Sequence, residues 1–362
     1  MAANEPYRRA VLQARRDYRK KTLPRLLRRM YTEYAGMLVA IDRSTGDGKL
    51  SPTRATALKN SIREEMDKLT DKLTVSFNRG IQSAAAVAAR GHSRGYTDAA
   101  RAAGMDVVVS FDSVPAEALQ LMQRRRDAGI AKEFKTLMNR HITQAARGVD
   151  RYLTSAIGRG ITYDRAGKEL AAMFTRGDQQ LLKVLDNVGP IGGHVKGIIG
   201  TGTFDQVQEV RGLLFDARRI VITEMNTTFF EADRVAAVQS PVVDLVEWTL
   251  SARHDGLPTS PDVCTVYAET DLHGYGKGLY HPQSVPPHPH PFCACTLGHV
   301  LLPPDQWGTE RPLPSPTALT EEDMKDQLKR LSHNGSRSIT DAYVSQQRDF
   351  ADGLYRATSV IQ

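Results

Sequence analysis

Apolar residues recur at helical spacing along most of the chain. In residues 5–41, Tyr7, Val11, Ala14 and Tyr18 follow one another at i, i+4, i+7 and i+11, which marks one face of a helix. After Pro24 the stripe resumes with Leu27, Met30, Tyr31, Tyr34, Leu38 and Ile41. Proline fixes φ and lacks a donor, so Pro24 predicts a kink or the first turn of a second helix. From Pro52 to Arg101 the positions Leu58, Ile62, Met66, Leu69, Leu73 and Phe77 continue in threes and fours, and the run Ala84–Ala89 favours helix. Val107–Phe111 predicts no more than a short strand or a buried turn. Pro115 opens a further helix, residues 134–174 read as helical with a break near Gly158–Gly160, and residues 204–238 form another long helical stretch.

The period then changes. Val242–Leu250 is β-branched and aromatic, which predicts a strand. Residues 251–306 are rich in turn formers, residues 303–319 in proline, and two helical segments follow at 320–331 and 339–357. The glycine-rich run 189–202 lacks the spacing of a phosphate-binding loop and reads as a plain loop. The expected fold class is therefore mainly α, with long amphipathic helices and a small irregular α+β Cys/His module near the C-terminus. The expected division is 1–50 as basic N-terminal helices, 51–239 as a helical body, 240–306 as the module, and 307–362 as a proline-rich linker and C-terminal helical tail.

Composition narrows the class. Hydrophobic residues make up 41% and charged residues 25% of the 362, which excludes wholesale disorder and fibrous repeats. No run approaches the ~18 consecutive apolar residues of a membrane helix, so no membrane partner is expected. The first 21 residues have no apolar core, so no secretory leader is expected and the protein should work in a cytosol.

Charge is concentrated at one end. Residues 1–40 hold ten basic residues against three acidic ones, and the remainder of the chain balances. The ten are Arg8, Arg9, Arg15, Arg16, Arg19, Lys20, Lys21, Arg25, Arg28 and Arg29. A local patch of one sign points to an anionic partner, either double-stranded DNA or an acidic protein surface. The interleaved Tyr7, Tyr18, Tyr31 and Tyr34 sit on the apolar stripe and are expected in the core.

All three cysteines, Cys264, Cys293 and Cys295, lie in residues 251–306 together with six of the ten histidines. An odd number cannot close an intramolecular disulfide framework. Zinc takes about four nitrogen or sulfur ligands, and His290-x-x-Cys293-x-Cys295 puts three within six residues. Cys264 supplies the fourth from a neighbouring segment. A module this small has little apolar core of its own, so a structural zinc on Cys264, His290, Cys293 and Cys295 makes physical sense. Reduced, half-buried thiols beside solvent-facing histidines are the other reading, and a disulfide from Cys264 to Cys293 or Cys295 is a third.

The stretch 216–302 resembles the phage head morphogenesis family, the phage Mu F-like minor head proteins. Asp216 to Asn226, with Arg219, Thr223, Glu224 and Asn226, is similar to the family's arginine-rich helix bearing a Thr-Glu pair and an Asn. Glu247-Trp248 resembles its strand ending in Trp. Asp262-x-Cys264 followed by His290-Pro-x-Cys293-x-Cys295 resembles its Asp-x-Cys-x-x-Cys…His-Pro-x-Cys-Arg-Cys signature. Tyr267 stands where the family has its second cysteine, and Ala294 where it has arginine.

The resemblance implies a low-copy, non-catalytic phage head protein. Its expected partners are the portal and other capsid components, and its expected roles are procapsid assembly or DNA packaging. It would occupy the host cytoplasm during assembly and then the virion head. Thr223 and Glu224 are then structural, with Glu224 pairing to Arg218 or Arg219. Two rival functions stay open. One is a zinc-dependent nuclease or hydrolase with Asp262 or Glu269 as general base. The other is a virion DNA-binding protein ejected with the genome.

Overall fold

The computed structural model describes residues 4–127, 134–175, 213–251, 263–286, 288 and 293–307. The glycine-rich run, the C-terminal helical pair, Asp262 and His290 lie outside them. The architecture is mainly α with one small antiparallel sheet. The helices are α1 (Asn4–Asp17), α2 (Leu23–Arg43), α3 (Pro52–Ala102), α4 (Val114–Asp127), α5 (Phe134–Gly158), α6 (Tyr163–Thr175) and α7 (Leu213–Gln239). They are followed by β1 (Val243–Thr249), a short α8 (Val263–Glu269), β2 (Leu279–Tyr280) and β3 (Thr296–Leu301). No helix among the described residues is long and apolar enough to cross a membrane.

The stripes read from the sequence are the buried faces. Tyr7, Tyr18, Tyr31 and Tyr34 are all buried, as expected of core positions. Pro24 stands in the first turn of α2, directly after a single π-helical turn at Tyr18–Thr22. That wide turn is consistent with the missing donor of proline. α5 ends at Gly158, and Gly160 adopts a φ of 67°, which accounts for the expected break there. The valine run behaves otherwise. Residues 107–111 form no strand, and Val107 and Val108 are exposed. Side chains of α3 hold this segment instead, with Val109 N donating to Thr97 Oγ1 and Phe111 N to Ser93 Oγ.

Contacts divide the chain into two units that interleave in sequence. The first comprises residues 1–18, 82–130 and 223–362, and the second residues 19–81 and 131–222. α1 belongs with the Cys/His module, whereas α2 belongs with α5 and α6. An amphipathic stripe says that a face is buried but not against what, so boundaries drawn by sequence order do not follow the packing.

In the second unit, Phe77 of α3 stacks on Phe134 of α5 with centroids 4.5 Å apart. Tyr34 Oη donates to the carbonyl of Phe174, tying α2 to α6. Buried Glu169 accepts from Tyr152 Oη at 2.9 Å and pairs with Arg165 at 2.7 Å.

In the first unit, the sheet runs β2-β1-β3, all antiparallel, with Trp248 opposite Leu297. Inward residues alternate along β3 as Leu297, His299 and Leu301. Trp248 sits edge-on to Tyr267 and beside Phe230 of α7. Gly278 takes a φ of 68°, and a Cβ there would stand 2.6 Å from the Ala268 carbonyl, so the turn into β2 requires glycine. α1 crosses α3 at two further glycines. A Cβ on Gly91 would lie 2.7 Å from the Ala14 side chain, and one on Gly95 2.8 Å from the Tyr7 ring.

Gly91→Val is therefore expected to lower stability by about 1–3 kcal/mol, because α1 must move away. Gly36→Ala on α2, where nothing lies within 4 Å, is expected to raise it by about 0.5–1 kcal/mol through helix propensity. Urea unfolding of the two variants beside the parent measures both, and equal effects would contradict the close crossing.

Candidate functional site: three thiols and a buried polar cluster

The three cysteines converge. Cys264 stands in α8, and Cys293 and Cys295 on the segment leading into β3. All three are buried, with their sulfurs within 4.8 Å of one another. Cys264 Sγ and Cys293 Sγ are 3.5 Å apart. Two sulfurs on one tetrahedral zinc, each bonded at about 2.3 Å, stand about 3.8 Å apart, so the spacing suits a shared metal ion. Thiolate is the softest ligand a protein offers and selects zinc or other thiophilic cations. The arrangement can hold a metal ion, and among the described residues these three form the group able to do so.

The surroundings are apolar. Phe230, Val246, Trp248, Val266, Tyr267, Tyr280 and Leu297 share one core with the thiols. Tyr267 is fully buried, and its carbonyl accepts from Tyr280 Oη at 2.7 Å. It therefore serves as packing. Without a metal Cys264 and Cys293 hold their protons tightly. Hydrogen bonds shared with Cys293 and Cys295, together with burial, push the Cys264 thiol far up. The bond from Cys264 lowers Cys293, but its bond to Cys295 and burial outweigh this and raise it. Metal uptake by such a site releases protons.

The module's described histidines lie outside the group of three thiols. His281 Nδ1 accepts from Gln283 N at the start of a 3-10 turn. His288 Nδ1 lies 3.1 Å from Thr227 Oγ1, with its ring against Phe230. His273 packs edge-on against Tyr280. His299, four residues after Cys295, bonds to Tyr7, Tyr96 and the Asp233 carbonyl. Of the residues carrying the family resemblance, Asn226 of α7 donates from Nδ2 to the Cys293 carbonyl at 2.8 Å, and Trp248 lies in the thiol core. Arg219, Thr223 and Glu224 are half-buried on α7. Glu269, a candidate base, is exposed at the end of α8.

A second cluster of chemistry-bearing groups was not apparent as a unit in the sequence. Asp233 of α7 is 1% exposed and forms an ion pair with Arg15 of α1. His92 Nε2 of α3 donates to Asp233 Oδ1 at 2.8 Å. His299 Nε2 of β3 donates to the Asp233 backbone carbonyl at 2.9 Å. With both Nε2 atoms donating, each Nδ1 is an acceptor. Tyr7 Oη lies 2.7 Å from His92 Nδ1 and 2.6 Å from His299 Nδ1. Tyr96 Oη lies 2.8 Å from His299 Nδ1. The two imidazoles stack with centroids 4.8 Å apart.

Burial sets the protonation of this cluster. It lowers His299 to about 3 and His92 well below its ordinary value, with the Arg15 charge adding to both. It raises Tyr7 and Tyr96. Both histidines are thus neutral at pH 7, and Arg15 is the counter-charge of Asp233. This corrects the placement of Arg15 among the surface cations: its side chain is 9% exposed and faces the interior. The other nine basic residues from Arg8 to Arg29 are exposed. Signals for the cluster existed. Leu297-x-His299-x-Leu301 alternates as a strand face, and His92 and Tyr96 stand one turn apart on the alanine-rich face of α3.

No known family model, curated protein or solved structure matches the chain.

Removing one partner of the buried pair should cost more than removing both. Asp233→Leu strands the Arg15 charge and is expected to cost about 3–5 kcal/mol, whereas Arg15→Met with Asp233→Leu should recover much of that loss. Urea unfolding of the single and double variants tests this. A second expectation concerns pH. The histidines titrate near 6.5 when unfolded but far lower when folded, so the unfolded state binds more protons below about pH 6.5. Stability should then fall as pH drops from 6.5 towards 5, by at most about 1.4 kcal/mol per pH unit for each histidine. Urea midpoints that stay level across that window would refute neutral buried imidazoles.

Proposed function

We propose that this protein is a minor head protein of a tailed phage, associated with the portal and assisting procapsid assembly or DNA packaging without catalytic turnover. The observation that supports the reading is the convergence of the family-like positions. Asn226 on a helix, Trp248 on a strand, Cys264 on a short helix and the Cys293/Cys295 segment are far apart in sequence. They meet around one core, with Asn226 bonded to Cys293. Such a module, stiffened from inside, is suited to present a fixed surface to a portal ring.

In this reading Cys264, Cys293 and Cys295 hold a structural zinc, with His290 as the fourth ligand. The metal would neutralise the thiolates and join α8 to the segment before β3. Asn226 would orient that segment through the Cys293 carbonyl. A site with all ligand positions filled by side chains leaves no open position for water, which separates it from a hydrolytic zinc.

Elemental analysis of the purified chain should find near one zinc per molecule, and Cys293→Ser should abolish it. Chelation should melt the module's near-ultraviolet signal while the helical signal persists. A metal-free chain with unchanged melting in chelator would remove the zinc. The functional reading is tested separately. Co-expressed with the portal protein of the phage that encodes it, the chain should sediment with portal rings. Heads assembled without it should be fewer or contain less DNA, and normal heads with no sedimentation would overturn the assignment.

A further inference from the structure

We infer that residues 19–29 form a sequence-independent binding face for the backbone of duplex nucleic acid. Six basic residues (Arg19, Lys20, Lys21, Arg25, Arg28 and Arg29) and no acidic residue occupy this stretch, and all six are exposed. At 100° per residue, Arg25, Arg28 and Arg29 fall within about 100° of arc on α2. The opposite face carries Met30, Tyr31, Tyr34, Leu38 and Ile41, all buried in the second unit. Arg25, Arg28 and Arg29 take part in no ion pair among the described residues. The nearest acidic residue on α2, Glu33, pairs with Lys72 instead.

The rest of the surface selects among anionic partners. The buried centre of a protein interface is typically more apolar than its rim and enriched in aromatic anchors. No large hydrophobic side chain of residues 19–29 is exposed. Single-stranded nucleic acid is held by bases stacked on exposed aromatic rings. Here Tyr18, Tyr31 and Tyr34 are buried and unable to stack. An amphipathic helix binds a lipid surface by inserting its apolar face. That face of α2 is occupied by the fold. What remains is a rigid helical comb of guanidinium groups without base-reading chemistry, and this fits the regular phosphates of a duplex. The inference goes beyond the head-protein reading and does not depend on it.

The test uses the full chain and a short labelled duplex of arbitrary sequence, followed by anisotropy between about 50 and 200 mM salt. The Arg25→Gln/Arg28→Gln/Arg29→Gln variant should bind at least about tenfold more weakly at the lower salt. Its slope of log affinity against log salt should shrink by about 2.7, or about 0.9 for each phosphate that is no longer neutralised. All three side chains are exposed, so circular dichroism should match the parent. Arg140→Gln/Arg147→Gln, which removes two exposed cations of α5, should leave slope and affinity unchanged. Equal weakening by both variants would mean net charge alone acts and would overturn the inference. So would an unchanged slope in the triple variant, tighter binding to single strands, or binding to polyglutamate but not to the duplex.

Discussion

A carboxylate taken out of water must find its counter-charge inside the protein, and Asp233 finds its own on a helix more than 200 residues away. Burying one ion costs several kcal/mol unless charge and hydrogen bonds are both returned. Arg15 supplies the charge, His92 a donor, and the Asp233 carbonyl receives His299. One position on α7 thereby requires α1, α3 and β3 to be present together. The first unit, assembled from three separate stretches of chain, has this requirement at its centre.

The same two elements, α7 and β3, also serve the thiols, and the two clusters divide the available chemistry. Asn226 and Asp233 lie seven residues apart on α7, one turned to Cys293 and the other to the histidines. Cys295 and His299 lie four residues apart, one in the thiol core and the other in the polar cluster. The histidines of the polar cluster are neutral and satisfied, so they act as polar staples. The Cys264 and Cys293 thiols are protonated and bonded to each other, a state that a soft metal ion would replace with a stronger link. Stability in this unit thus rests on polar connections that a purely apolar contact could not orient.

Surface and interior use arginine differently within one short region. Arg15 and Arg16 are adjacent, yet the first is buried against Asp233 and the second is exposed. The difference follows from helical phase: Arg15 shares the face of Tyr7 and Val11, and Arg16 does not. A charge count over the region is therefore an upper bound on what a partner can meet. The phase of each residue decides its share.

The helices and their inward faces were legible in the sequence, because periodicity of 3.6 and the placement of proline and glycine are local properties. The strand at Trp248 and the grouping of the three cysteines were legible for the same reason. The valine run at 107–109 misled, since β-branched composition needs a partner strand to become a strand, and here α3 hydroxyls take its amides. Tertiary structure alone decided that Arg15 is interior, that His299 bonds to Tyr7 and Tyr96, and that α1 belongs with the C-terminal module. Each of these depends on which buried group lies opposite, across 85 to 292 positions of chain. Pairing at that range is set by the cost of an unmatched charge or donor in the core, and no local pattern carries it.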